Sequence, residues 1–179
     1  MVTARKILLK KANYEVKIVF ERILVPLDGS RFGSRALKYA KEIAKHFNSE
    51  MILLQVVKPA IPVPVTSGLT QGSESPVTAE IAIEAARAED KKNTTRAKQY
   101  LSRQTRDLKS QNIEVSYKMI PGEPADSIMA FARKQKIDLI VMSSHGKGGL
   151  KRAIMGSVAD VVIREAGKPV LVVRPKNKK

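Results

Sequence analysis

Apolar positions along this chain fall into short blocks that alternate between two spacings. Residues 22–30, RILVPLDGS, form an apolar run ending in Asp-Gly-Ser, which predicts a buried strand followed by a turn. Ala36, Ala40, Ile43, Ala44 and Phe47 then recur at helical spacing and predict an amphipathic helix over 33–47. Residues 50–58, EMILLQVVK, read as a second buried strand. The Pro-, Gly- and Ser-rich stretch 59–75 breaks the rhythm and predicts a long loop. Ser75-Pro76 reads as a helix cap followed by Pro at the first helical position, opening a long helix over 76–111. Its segment 89–96, EDKKNTTR, is too polar to be buried. Residues 112–120 form a third strand, and Pro121-Gly122 a turn. Ala125, Ile128, Met129 and Ala132 mark another helix, and 137–144, IDLIVMSS, a very apolar fourth strand. A helix with Val158, Val161 and Val162 on one side precedes a last strand at 168–175.

Strands alternating with helices imply an α/β fold, a parallel sheet covered on both faces. Right-handed crossovers follow. In such a sheet, ligands bind beyond the carboxyl ends of the strands, where strand order reverses. The candidate positions are therefore Asp28, Val56, Gly122, residues 143–149 and Gly156-Ser157. Residues 1–20 stand outside the pattern as a basic extension, whose YEVKIVF segment is either an edge strand or part of a loose arm. One domain is expected over 21–175, with a solvated basic tail at 176–179.

The chain has 179 residues, enough for one core that folds unaided, and an apolar fraction of 43%. Without Cys, disulfides and thiolate metal sites are excluded. No apolar run reaches the roughly 18 residues of a membrane span. A cytoplasmic protein without membrane association is expected. The net charge of +16 draws polyanions. Four Phe, four Tyr and no Trp leave few stacking platforms, which counts against a dedicated nucleic-acid binder.

The stretch 143–157, SSHGKGGLKRAIMGS, carries the chemistry. Gly146, Gly148, Gly149 and Gly156 let backbone N–H groups approach an anion closely. Lys147, Lys151 and Arg152 add positive charge, and a helix starting at Gly156-Ser157 adds its dipole. Neither G-x-x-x-x-G-K-[ST] nor G-x-G-x-x-G is present. On chemistry alone the stretch is either a phosphate cradle or a soluble basic loop. His145 either polarises a phosphate or supports the base of the loop. His46 ends the first helix, where a cation suits the dipole.

The spacing Gly146, nine residues, Gly156-Ser157, followed by a helix and KPVLVVR, resembles the universal stress protein family, whose nucleotide-binding version reads G-x-x-G-x9-G-[ST]. Ser143 stands where that pattern has its first glycine. RILVPLDGS, ILLQVV and PGEPADSI resemble other family segments, and the likeness covers roughly 21–175. It implies a single-domain three-layer sandwich with a five-stranded parallel sheet of order 3-2-1-4-5, of the adenine nucleotide alpha hydrolase-like kind. It implies ATP bound by Pro26, Leu27, Asp28, Val56, Gly122, Met142, Ser143, His145, Gly146, Gly156, Ser157 and Val158, with Mg²⁺ or Mn²⁺ at Asp28 only when nucleotide is present. It implies a role in stress response or signalling, and a homodimer through the strand at 168–174. No nucleophile–base pairing is recognisable, so a binding module and not an enzyme is expected, with at most slow ATP hydrolysis. Two rival readings remain: a member of the same family working through unknown protein partners without nucleotide, and a basic nucleic-acid-binding protein.

Overall fold

A computed structural model describes residues 7–11, 14–18, 20–58, 76–146 and 155–174. The loop expected at 59–75, the cap at Ser75, the cations Lys147, Lys151 and Arg152, and the tail 176–179 lie outside the described residues.

The first two strands, β1 (Ile7–Lys11) and β2 (Tyr14–Ile18), pair antiparallel with each other, Lys11 opposite Tyr14 and Ile7 opposite Ile18. They form a two-stranded sheet of their own, so the YEVKI segment takes its partner from the extension and not from the main sheet. The rest of the chain runs β3 (Arg22–Pro26), α1 (Arg35–Phe47), β4 (Glu50–Val57), α2 (Pro76–Lys109), β5 (Val115–Pro121), α3 (Pro124–Lys134), β6 (Leu139–Ser143), α4 (Ser157–Glu165) and β7 (Val170–Val173). The five-stranded sheet has the order β5-β4-β3-β6-β7, and every pairing is parallel. Counted within this sheet, that is the expected order 3-2-1-4-5.

Strands covered on both faces are apolar throughout, which is why β3, β4 and β6 read as runs, whereas the edge strand β5 alternates in part. Successive side chains still point to opposite faces. Ile23 and Val25 of β3 join Met51, Leu53 and Val141 under α1 and α2, where Ala36, Leu37, Ala40, Ala44, Leu101 and Leu108 close the core. Leu24 joins Ile52, Leu54, Ile140 and Met142 under α3 and α4, against Ile128, Ala132, Ala159 and Val162. Helix α1 stops at Asn48, which takes the left-handed conformation (φ 57°) and donates its N–H to the carbonyl of Ala44.

Among the described side chains, helix α2 is buried only in its second half. Ala97, Leu101 and Leu108 are 0–5% exposed, whereas residues 91–96 are all exposed, as the polar 89–96 segment predicts. Leu101→Ala should lower unfolding stability by about 2–5 kcal/mol, while Ile83→Ala, on the exposed half, should stay within about 0.5 kcal/mol. Denaturant unfolding of both variants checks this; equal losses would contradict the packing.

Candidate functional site

The chain runs outward from β3 through β4 to β5, then returns to place β6 on the other side of β3. The connections leave the ends of β3 and β6 in opposite directions, and a crevice opens between them. A cavity of about 330 Å³ occupies it, between the carboxyl ends of β3, β4 and β6 and the starts of α3 and α4. One end is apolar, walled by Pro26, Leu54, Val56, Ile128, Met142 and Val158. The other carries Asp28, Ser143, Ser144, His145, Gly146, Gly156 and Ser157.

Of the residues singled out from sequence, Pro26, Leu27, Asp28, Val56, Met142, Ser143, His145, Gly146, Gly156, Ser157 and Val158 line this cavity, and Gly122 does not. Gly122 occupies the turn after β5 with φ +136°, donates its N–H to the Val57 carbonyl at 3.2 Å, and would place a Cβ 2.5 Å from Ser127 Oγ. Turn geometry accounts for that glycine. Ser144, within the candidate stretch 143–149, also lines the cavity, as do Gly33, Leu54, Pro124, Ile128 and Ala159, which were not expected. Leu54 was legible as the neighbour of Val56 two residues along one strand face, and Pro124 and Ile128 as an i, i+4 pair.

Asp28 follows β3 and accepts the Ser30 N–H at 3.0 Å through Oδ1, closing an Asx turn. Its carboxylate lies against two glycines. A Cβ at Gly146 would sit 2.5 Å from Asp28 Oδ2, and one at Gly33 would overlap Asp28 Oδ1. Both positions are small because this carboxylate fills the space. On α2, burial raises the Tyr100 hydroxyl above the usual tyrosine value, the negative charge of Asp28 adds to the rise, and Arg103 opposes it.

Gly156 has ordinary dihedrals (φ −65°, ψ 145°), so it too answers to space. A Cβ there would lie 3.0 Å from the Ser144 carbonyl oxygen, which accepts the Gly156 N–H at 2.8 Å. The Ser144 N–H donates in turn to the Val173 carbonyl at 3.0 Å. Ser144 thereby ties the start of α4 to the ends of β6 and β7. Because Gly156 brings no capping side chain, the first-turn N–H groups of Ser157, Val158 and Ala159 open toward the cavity with the positive end of the helix dipole.

Ser143 is the last residue of β6, so its backbone is extended and makes no demand for glycine. Ser144 is 1% exposed, and its Oγ lies 2.8 Å from His145 Nδ1. This contact ties the ring to the Ser144 hydroxyl, with its direction set by the His145 tautomer. Among the described residues, His145 Nε2 is buried without a hydrogen-bond partner. Among the described residues no group of three or more His, Asp or Glu side chains could hold a metal ion, and Asp28 is the one carboxylate lining the cavity.

A profile of the universal stress protein family matches residues 20–174. The chain belongs to the universal stress protein family. Universal stress protein MJ0531 of Methanocaldococcus jannaschii is 34% identical over 160 residues, 89% of this chain and 85% of its own. The solved structure of MJ0577 from the same organism, described as a structure-based assignment of biochemical function, superposes with a TM-score of 0.71 at 29% identity, over 90% of this chain and 100% of that one. The universal stress protein from Archaeoglobus fulgidus, solved in complex with dAMP, shares the fold at a TM-score of 0.57 and 21% identity, over 87% of this chain and 98% of that one.

In this universal stress protein the contact of Asp28 with Gly146 is directly testable. Gly146→Ala should destabilise by about 1–3 kcal/mol, the cost of forcing a methyl into filled space. Asp28→Ala should absorb most of that cost, with a coupling of about 1 kcal/mol or more in a double-mutant cycle. Strict additivity would contradict the steric account.

Proposed function

We propose that this universal stress protein binds an adenine nucleotide, ATP, in the crevice between β3 and β6. The observation that carries the reading is one cavity with an apolar end and, at its other end, an uncapped helix N-terminus flanked by Gly146 and Gly156. Its volume of about 330 Å³ falls in the range of small-molecule sites. The base lies against Pro26, Leu54, Val56 and Ile128, and Val56 also offers its strand-end backbone to the adenine edge. The phosphates meet the N–H groups of Ser157 and Val158, with the Ser157 hydroxyl beside them. Extended backbone at Ser143 means that serine in place of the motif's first glycine strains nothing. The dAMP complex of the Archaeoglobus fulgidus relative supports an adenine nucleotide as the ligand class.

Asp28 sets a condition. A carboxylate beside phosphates repels them unless a cation stands between. Mg²⁺ or Mn²⁺ therefore arrives with the nucleotide, held by Asp28, phosphate oxygens and water, since one carboxylate is no cage for a resident metal. The hydroxyl–base contact that lines the cavity, Ser144 Oγ with His145 Nδ1, is buried at the base of the loop, Ser144 being 1% exposed, so the protein senses ATP and hydrolyses it slowly at most. Its place is the cytoplasm, where ATP level reports stress. Calorimetric titration with ATP and Mg²⁺ should give micromolar affinity. Gly156→Val, which pushes into the Ser144 carbonyl, should weaken binding at least about tenfold, and chelator should weaken it in the wild type. Absence of binding, together with absence of co-purified nucleotide, would overturn the reading.

The assembly we propose is a homodimer through β7. This is the sheet's edge strand, and Val170, Leu171 and Val172 remain partly exposed on it. A second copy across a two-fold axis covers such an edge. Val172→Lys should convert the dimer to monomer in sedimentation or light scattering; an unchanged dimer mass would rule out this interface.

A further inference from the structure

The two helical layers of this molecule differ in charge. On the layer of α3 and α4, Arg133, Lys134 and Arg164 are matched by Asp126, Asp160 and Glu165, and Arg164 pairs with Asp160 at 2.9 Å. On the layer of α1 and α2 the balance fails. Helix α1 carries Arg35, Lys38, Lys41 and Lys45 against Glu42 alone. The second half of α2, from Lys91 to Lys109, carries seven cations and one acid, Asp107. None of those seven forms an ion pair among the described residues.

Their placement is ordered. Lys92, Arg96, Gln99, Arg103 and Arg106 are spaced by four, three, four and three residues, so they share one face of the helix. All five are exposed, and the opposite face, with Ala97, Leu101 and Leu108, is buried on the sheet. The result is a cationic ridge of about 21 Å, with Gln99 at its middle, no apolar side chain in it, and Asp107 beside its end, four residues after Arg103. The helix dipole accounts for Arg106 and Lys109 in the last turn, but not for Lys92 and Arg96 in mid-helix. Like charges at i, i+4 and i, i+3 disfavour the helix, so folding gives no reason for this row. Lys41 of α1 donates to Gln111 Oε1 at 3.1 Å, in the turn that follows α2.

We propose that the α2 ridge binds the phosphate backbone of duplex DNA without reading sequence. The site lies across the sheet from the nucleotide cavity and does not rest on it. Charge complementarity selects a polyanion, and duplex DNA presents one charge per about 1.7 Å. The ridge carries no aromatic on which single-strand bases stack. A membrane-lying helix buries an apolar face in lipid, and the apolar face of α2 is already spent on the core.

The test uses full-length protein and fluorescence anisotropy with a labelled duplex, the matching single strand, and vesicles containing anionic lipid. One variant changes Lys92, Arg96, Arg103 and Arg106 to Gln. A second changes Arg133, Lys134, Arg164 and Lys168 to Gln, removing the same charge elsewhere. Circular dichroism verifies folding of both. Duplex affinity of the parent should fall about a hundredfold between roughly 50 and 200 mM salt, as four phosphate contacts require. The ridge variant should lose at least about tenfold at low salt and the control variant little, with ATP titration unchanged in both. Equal losses in the two variants, tighter binding to the single strand, or binding to vesicles in place of duplex would each overturn the proposal.

Discussion

The carboxylate of Asp28 occupies the space into which side chains at positions 33 and 146 would otherwise project. Position 33 precedes α1, and position 146 follows β6, so one side chain at the end of β3 packs against the start of one crossover and the exit of another. A Cβ at either position is accommodated only by turning the half-buried Asp28 carboxylate away, with loss of the Ser30 N–H bond that holds it. The crevice stays open because its polar end is floored by a short charged side chain and two residues without Cβ atoms. The same carboxylate fixes the electrostatics: it places a negative charge beside the positive end of α4 and is felt by Tyr100 on the opposite layer.

Ser144 does the complementary work. Its carbonyl receives the N–H of Gly156 and its own N–H is bound to Val173. Where α4 begins is therefore set by the ends of β6 and β7 and not by a side-chain cap. A helix started in this way keeps its first N–H groups available, which is what an anion needs. Both devices rest on sheet strands that are buried on two faces, the most rigid part of the fold.

Much of this was legible in the sequence, for stated reasons. Apolar runs bounded by turns marked β3, β4, β6 and β7, partial alternation of polar and apolar residues marked β5, and helical spacing marked α1 and α3. Motif spacing pointed to Gly146 and Gly156, but the physical reason differs from the one that glycine chemistry suggests. Gly146 is small for a carboxylate 118 positions earlier, a distance no local pattern can reveal. Gly33 escaped although Asp28 is only five positions away, because no strand or helix period sets one against the other, and the bonds of Ser144 to Gly156 and Val173 could not be read from its place in the 143–149 stretch. The pairing of 14–18 with 7–11 was ambiguous because a short amphipathic strand matches any free edge. The basic ridge on α2 was visible only as net charge until the buried stripe fixed which face looks outward.

The central claim is that the polar end of the crevice, with α4 behind it, receives phosphates. Amide chemical shifts recorded by ¹⁵N-resolved NMR during titration with Mg²⁺-ATP test it most directly. The account predicts the largest changes at Gly146, Ser157, Val158 and Ala159, with strand-end changes at Val56 and none at the ridge residues Lys92, Arg96, Arg103 and Arg106. Changes confined to the α2 ridge, or spread over the surface without saturating, would show that ATP is bound as a loose polyanion and that the crevice is not its site.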